Sequence, residues 1–169
     1  AEQTVINSMM RRFMLSWPNV EFKMTSNNKV VYHVPIQNLS ERINAIYGTP
    51  FKKGILPVDL KKKPYIVSGF IGNLSLVKKR QGEQYIFLNG RFIKNRLLNS
   101  AIFSAYQTLI SRGEFPFFIL FGKFSPGFPR VKIVIYFEQK IEYTFYMTPT
   151  YILYCMFQEC IIAHRHFSL

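Results

Sequence analysis

The sequence predicts an α+β fold, a mixed β-sheet with helices on one face. Three observations carry that reading. Helix-period apolar stripes recur three times, each followed by a pair of strand-like runs. Clusters of Gly, Pro and Asn punctuate the runs. One run, Pro116 to Phe121, is apolar throughout, as befits a strand buried on both faces. The 169 residues suit one domain with a tail, and 49% hydrophobic residues, with 17 Phe and 10 Tyr, suffice for a core.

In chain order, residues 3 to 16 read as a helix, because Val5, Met9 and Phe13 recur at helical spacing and Ile6 and Met10 widen the stripe. Pro18 stops it. Asn19 to Thr25 alternates Val20, Phe22 and Met24 with polar residues, which predicts a strand. Ser26-Asn27-Asn28 is a turn, and Lys29 to Val34 returns as the second strand of a hairpin, with His33 as an exposed or satisfied strand residue. Asn38 and Glu41 stand at the spacing of a capping box. Leu39, Ile43 and Ile46 give the next helix its apolar face, and Gly48 closes it. Thr49 to Lys63 reads as a basic connection marked by Pro and Gly. Tyr65 to Ile71 is a strand, Asn73 to Gly82 a polar loop, and Gln84 to Leu88 a strand expected to pair with 65 to 71. Asn89-Gly90 is a strong turn signal, since both residues tolerate positive φ. Asn95 is placed to cap a helix reaching about Arg112, with Leu97, Leu98, Ala101, Ile102, Ala105 and Leu109 along one face, and Gly113 ends it. Pro116 to Phe121 and Arg130 to Phe137 are the last two predicted strands.

Formal net charge is +13, from 22 basic and 9 acidic residues. Such an excess points to a polyanion, either nucleic acid or an anionic membrane surface. Between Lys52 and Arg96 lie eleven Lys or Arg and two acids, Asp59 and Glu83. Loop 52–63, Lys78-Lys79-Arg80 and the turn bearing Arg91, Lys94 and Arg96 form a positive stripe if they share one side of the sheet. A stripe of that kind holds duplex through its phosphates with little reading of sequence.

Catalytic signatures are missing from the sequence. It holds no P-loop, GxGxxG, GxSxG or HExxH pattern. Asp59 is the one aspartate, which disfavours a two-carboxylate centre. Cys155, Cys160, His164 and His166 gather four thiol and imidazole groups in twelve residues, but without a knuckle turn they read as packed side chains rather than a zinc site or a Cys-His hydrolase. Pro149, Gln158 and Glu159 interrupt the apolar stretch 143–163, which disfavours a membrane span. Two cysteines and the lack of a signal peptide fit a reducing cytoplasm.

At this point a resemblance enters. Phe87-Leu88-Asn89-Gly90-Arg91-Phe92-Ile93-Lys94, then Ala101, Ala105-Tyr106 and Gly113-Glu114-Phe115-Pro116, resemble the second domain of the MutL DNA mismatch repair family. That domain carries Phe-Val-Asn-Gly-Arg, a helix with Ala-Ile and Ala-Tyr, and a short turn into Pro and a strand. Glu2, Trp17-Pro18, Glu41-Arg42, Ile46-Tyr47-Gly48 and Val67-Ser68-Gly69-Phe70-Ile71 fall in the same order. The resemblance covers about residues 2 to 121. It divides the chain into a transducer-like domain at 1–121, its first strand missing, and a divergent strand and apolar tail at 122–169.

What the resemblance implies is a transducer domain of the GHKL ATPases, with a left-handed βαβ unit of the ribosomal-protein type. An ATPase domain precedes such a domain. ATP-driven homodimerisation of the full-length protein couples a MutS-like protein to downstream repair factors, in the cytoplasm and away from membranes. The implied partner is duplex DNA, with Arg91 in contact and Lys94, Arg96, Lys78, Lys79 and Arg80 as further candidates around the Asn89-Gly90 turn. ATP and magnesium belong to the full-length family, so this portion is expected to hold no cofactor and to be no enzyme by itself. After the 116–121 strand the family pattern of His-Pro and an ATP-reaching lysine is replaced by Lys123-Phe124-Ser125-Pro126-Gly127, and no ATP-contact residue carries over. A divergent tail and a shifted reading frame near Phe121 both account for that loss. The alternatives are a dimerisation or partner-docking module without direct DNA contact, and an RNA-binding βαβ module.

Overall fold

A strand with apolar side chains on both faces needs cover on both faces and a neighbour on each edge. Pro116 to Phe121 sets that demand, and the sheet is arranged around it. The computed structural model describes residues 2–62, 65–106, 109–124, 131–136 and 142–147. Its elements are α1 (Glu2–Ser16), β1 (Phe22–Ser26), β2 (Lys29–Val34), α2 (Leu39–Tyr47), α3 (Pro50–Gly54), β3 (Ile55–Lys62), β4 (Tyr65–Gly72), β5 (Gln84–Leu88), β6 (Arg91–Ile93), α4 (Arg96–Tyr106), β7 (Phe118–Phe124), β8 (Val131–Tyr136) and β9 (Glu142–Met147). A 3₁₀ turn, Leu74–Leu76, lies in the loop after β4. The fold is α+β with a mixed five-stranded sheet of order β3-β4-β7-β5-β6.

β7 is the central strand. It runs antiparallel to β4 and parallel to β5, with α4 in the crossover. The expected pairing of 65–71 with 84–88 is therefore corrected, because β7 lies between them. Only the middle of the sheet buries both faces of a strand in which Phe117, Phe118, Ile119 and Leu120 are all inaccessible. For the same reason the helices do not share one face. Leu98, Ile102, Ala105 and Tyr106 of α4 cover one side, against Val67, Ile86, Phe118 and Leu120. Leu15 of α1, Ile43 of α2 and Phe51 of α3 cover the other, against Tyr85, Phe87, Phe117 and Ile119.

Three further expectations change. The predicted connection 49–63 is not irregular over its described residues: Pro50–Gly54 forms α3 and Ile55–Lys62 forms β3, an edge strand. Leu56, Val58 and Leu60 turn toward the α4 side, while Pro57, Asp59 and Lys61 alternate with them. Proline and lysine are tolerated on an edge, where one row of backbone groups faces solvent. β6 intervenes between the Asn89-Gly90 turn and the helix. α4 is described only to Tyr106 rather than 112, and the amides of Leu109 and Ile110 both donate to the Tyr106 carbonyl in the turn that follows. In α1 the apolar stripe of Val5, Ile6, Met9 and Phe13 is exposed, and Met14 and Leu15 are the buried residues.

The capping box forms as read. Asn38 Oδ1 accepts from the Glu41 amide at 2.9 Å, and Glu41 Oε2 accepts from the Asn38 amide at 3.3 Å. Asn95 Oδ1 likewise accepts from the amides of Leu97 and Leu98, capping α4. Arg42 is fully buried, and its Nη2 donates to the carbonyls of Pro18, Val20 and Pro35 at 2.7, 2.8 and 2.7 Å. This guanidinium fastens the β1–β2 hairpin to α2. β8 and β9 pair antiparallel as a separate hairpin, so the last predicted strand has a partner that was not foreseen. Cys155, Cys160, His164 and His166 lie outside the described residues.

Candidate nucleic-acid interface

The β5–β6 hairpin begins the site. Asn89 at φ 47° and Gly90 at φ 79° occupy the left-handed region that a two-residue hairpin turn requires. Leu88 pairs with Arg91 across the turn, and the Asn89 amide donates to the Gly122 carbonyl at 2.9 Å, tying the turn to β7. Arg91 is thus held on an ordered, exposed strand start.

α1 lies along this hairpin. At its C-terminal end Ser16 Oγ donates to the Gly90 carbonyl at 3.2 Å. One turn earlier the Arg12 guanidinium sits 4.4 Å from the centre of the Phe92 ring, a cation–π contact, and Arg12 Nη2 donates to Ser8 Oγ. Arg11 Nε donates to the Tyr32 hydroxyl at 3.2 Å, and its guanidinium stands 5.6 Å from the Tyr47 ring. The Tyr47 hydroxyl donates to that of Tyr85 at 3.1 Å. Burial, reinforced by Tyr85, holds the Tyr47 pKa well above the ordinary tyrosine value. Burial raises the Tyr85 pKa as well, so the Tyr47 and Tyr85 hydroxyls stay neutral beside the arginines.

Two grooves adjoin along the N-terminal half of α1 and share Ser8, Gln81, Gly82 and Tyr85. The first, about 400 Å³, carries Arg11 on the helix side and Lys78 and Arg80 on the loop side. The second, about 440 Å³, carries Arg12 opposite Lys94 and Arg96. Glu83 is the one acid lining either. A third groove, about 330 Å³ and mostly apolar, holds Arg91 beside Phe13, Trp17 and Phe92.

Four of the residues singled out in the sequence, Lys78, Arg80, Lys94 and Arg96, therefore meet across α1. Arg91 is placed at the opposite end of the hairpin, three rungs or roughly 10 Å away. Lys79 is exposed and lines none of these grooves. Lys61 stands on the far edge strand and pairs with Asp59 at 3.0 Å, so the single positive stripe is divided. Arg11 and Arg12 were missed by sequence reading. The adjacent arginines were visible, but nothing in the local pattern joins them to residues 78–96. Among the described residues no three His, Cys, Asp or Glu side chains gather in a metal-holding cluster, and no helix is long and apolar enough to cross a membrane.

Comparison with known proteins adds the following. A family model described as "DNA mismatch repair protein, C-terminal domain" matches residues 43–129, more than half of the chain. The chain is 32% identical over 118 residues to DNA mismatch repair protein MutL of Chlorobium phaeobacteroides, covering 70% of this chain and 19% of that protein. It is also 32% identical over 133 residues to the MutL of Clostridium botulinum, covering 78% of this chain and 20% of that protein. The chain thus spans about a fifth of the length of these relatives. Among solved structures, the Aquifex aeolicus MutL ATPase domain complexed with ADP matches with a TM-score of 0.55 at 19% identity, over 74% of this chain and 43% of that one. The N-terminal domain of a DNA repair protein matches with a TM-score of 0.66 at 14% identity, over 94% and 52%. At such identities the structural matches speak for the fold.

Proposed function

The chain belongs to the MutL family of DNA mismatch repair proteins, and on that premise we propose that it forms the part that grips duplex DNA by its phosphates and couples an ATPase unit to repair partners. The observation that supports this reading is the meeting of Arg11, Arg12, Lys78, Arg80, Lys94 and Arg96 along two adjoining grooves with a single acid between them. Cations on helix and loop frames fix the register of a phosphate chain without reading bases. Arg91, at the other end of the hairpin, extends the contact. ATP and magnesium would be handled elsewhere in a full-length protein, and a MutS-like protein and a second copy would be the partners, in the cytoplasm.

The test is duplex DNA binding by this chain across a salt series. Six neutralised phosphates predict a slope of log K against log salt of about −5. Arg80→Glu with Lys94→Glu should weaken binding by at least about tenfold and flatten the slope, and Arg91→Glu should act in the same direction. Salt-independent binding, or unchanged affinity in these variants, would defeat the proposal. One observation favours the second reading, a docking module without direct DNA contact: Val5, Ile6, Met9 and Phe13 form an exposed apolar stripe on α1. Partner capture lost in Met9→Glu while duplex affinity stays at zero would decide for it.

A further inference from the structure

Among the described residues, the sheet face that carries α1, α2 and α3 is not covered along its whole length. Near the helices its β4 and β7 side chains are Phe70 and Ile119, packed under Leu15, Ile43 and Phe51. Because side chains alternate, the same face continues with Ser68 and Ile66 on β4 and with Phe121 and Lys123 on β7. Register places these in rows. Asp59, Ser68 and Phe121 form one row, and Lys61, Ile66 and Lys123 the next. Ile66 is 39% exposed, and Lys123 is exposed as well. Across β7 the pairing of Leu88 with Gly122 brings the Asn89-Gly90 turn to the level of Lys123, with Arg91 beyond it. Arg91, which pairs with Leu88, belongs to the opposite face, so the cations at this end of the face are those on β3 and β7.

We infer that Lys61 and Lys123, on either side of Ile66, form a second phosphate-contacting row for duplex DNA, in which Asp59 competes for Lys61. This rests on the duplex-binding reading above and adds residues outside its grooves. Charge complementarity argues for the occupant. The acid in the two rows is Asp59, 3.0 Å from Lys61, and both side chains are more than half exposed. An ion pair so exposed contributes little and yields readily to a phosphate. Lys61 and Lys123 sit two strands apart, roughly 10 Å, with an apolar side chain between them suited to the sugar face of the backbone.

The experiment is duplex binding across a salt series with Lys61→Gln/Lys123→Gln, Asp59→Asn and Lys29→Gln variants of this chain. The double variant should lose about tenfold in affinity and flatten the salt slope by about 2, while Lys29→Gln on the β1–β2 hairpin stays near the unaltered chain. Asp59→Asn frees Lys61 and should bind a few-fold tighter, roughly threefold, which keeps the inference open to refutation if the double variant fails to fold. A double variant with the full slope, or an Asp59→Asn variant that binds no better, overturns this inference and leaves the groove reading standing. An unaltered chain without salt-dependent binding overturns both. Tighter binding of single-stranded RNA than of duplex DNA overturns the choice of occupant.

Discussion

Gly69 stands in β4 with φ +135°, in the middle of the sheet. A Cβ there would collide with the backbone carbonyl of Ile119 on the neighbouring strand, which has no freedom to withdraw. Gly69→Ala should therefore cost about 3 kcal/mol or more, read as a lower urea midpoint with an unchanged slope. A second residue ties the same region to α4: the buried Tyr106 hydroxyl donates to the Gly72 carbonyl at 2.7 Å. Burial raises the Tyr106 pKa above the ordinary value of 10.0. The fold favours the protonated hydroxyl, so its contribution is complete below pH 10 and is lost as pH rises through the raised value. Tyr106→Phe should cost about 1 kcal/mol at neutral pH, and that deficit should shrink in denaturation curves taken above pH 10. A deficit that does not change with pH would show the hydroxyl to be irrelevant to the alkaline limb.

Among the elements, α4 shows how local chemistry and packing divide the work. Asn95 caps it through two amides, while Leu98, Ala101 and Ile102 bury its inner face. Asn95→Ala should lower stability by about 1 kcal/mol, visible as a small fall in thermal midpoint with the sheet intact. Caps of this kind were legible in the sequence, because Asn38, Glu41 and Asn95 act on neighbours two or three residues away. The Asn89-Gly90 turn was legible for the same reason. Strand β3 was not, although Leu56, Val58 and Leu60 alternate, because Pro57 and the lysines look like loop residues until the strand is known to lie on an edge. Nor was the buried face of α1. Apolar periodicity shows that a stripe exists, but only the packing of Met14 and Leu15 shows which side meets the domain. For the site, Lys78, Arg80, Lys94 and Arg96 were named from local charge density. Arg11 and Arg12 come from a helix seventy residues distant and join them only through the tertiary fold.

At the scale of the whole molecule, the charge of +13 is arranged rather than spread. One group of cations flanks α1 at the 78–82 and 94–96 end of the hairpin, and another, Lys61, Lys123 and Arg91, stands at the opposite end of the sheet. Between them lie the packed aromatics Phe87 and Phe121, stacked at 4.9 Å, which hold the two groups at a fixed separation. On the duplex-binding proposal, a rigid separation of this kind would let both groups meet one polyanion with no flexible linker to order.

The placement of β7 between β4 and β5 also governs how the chain reaches this state. No rung joins β4 to β5, so the β3–β4 and β5–β6 hairpins remain two separate pieces, each with an apolar edge open, until the strand beginning at Phe118 arrives. The sheet is completed by contacts across about fifty residues of sequence on the β4 side, a non-local closure that slows folding. During synthesis those open edges are the surfaces most exposed to strand pairing with other chains. Insertion of the central strand is thus the event that turns two adhesive hairpins into one closed sheet.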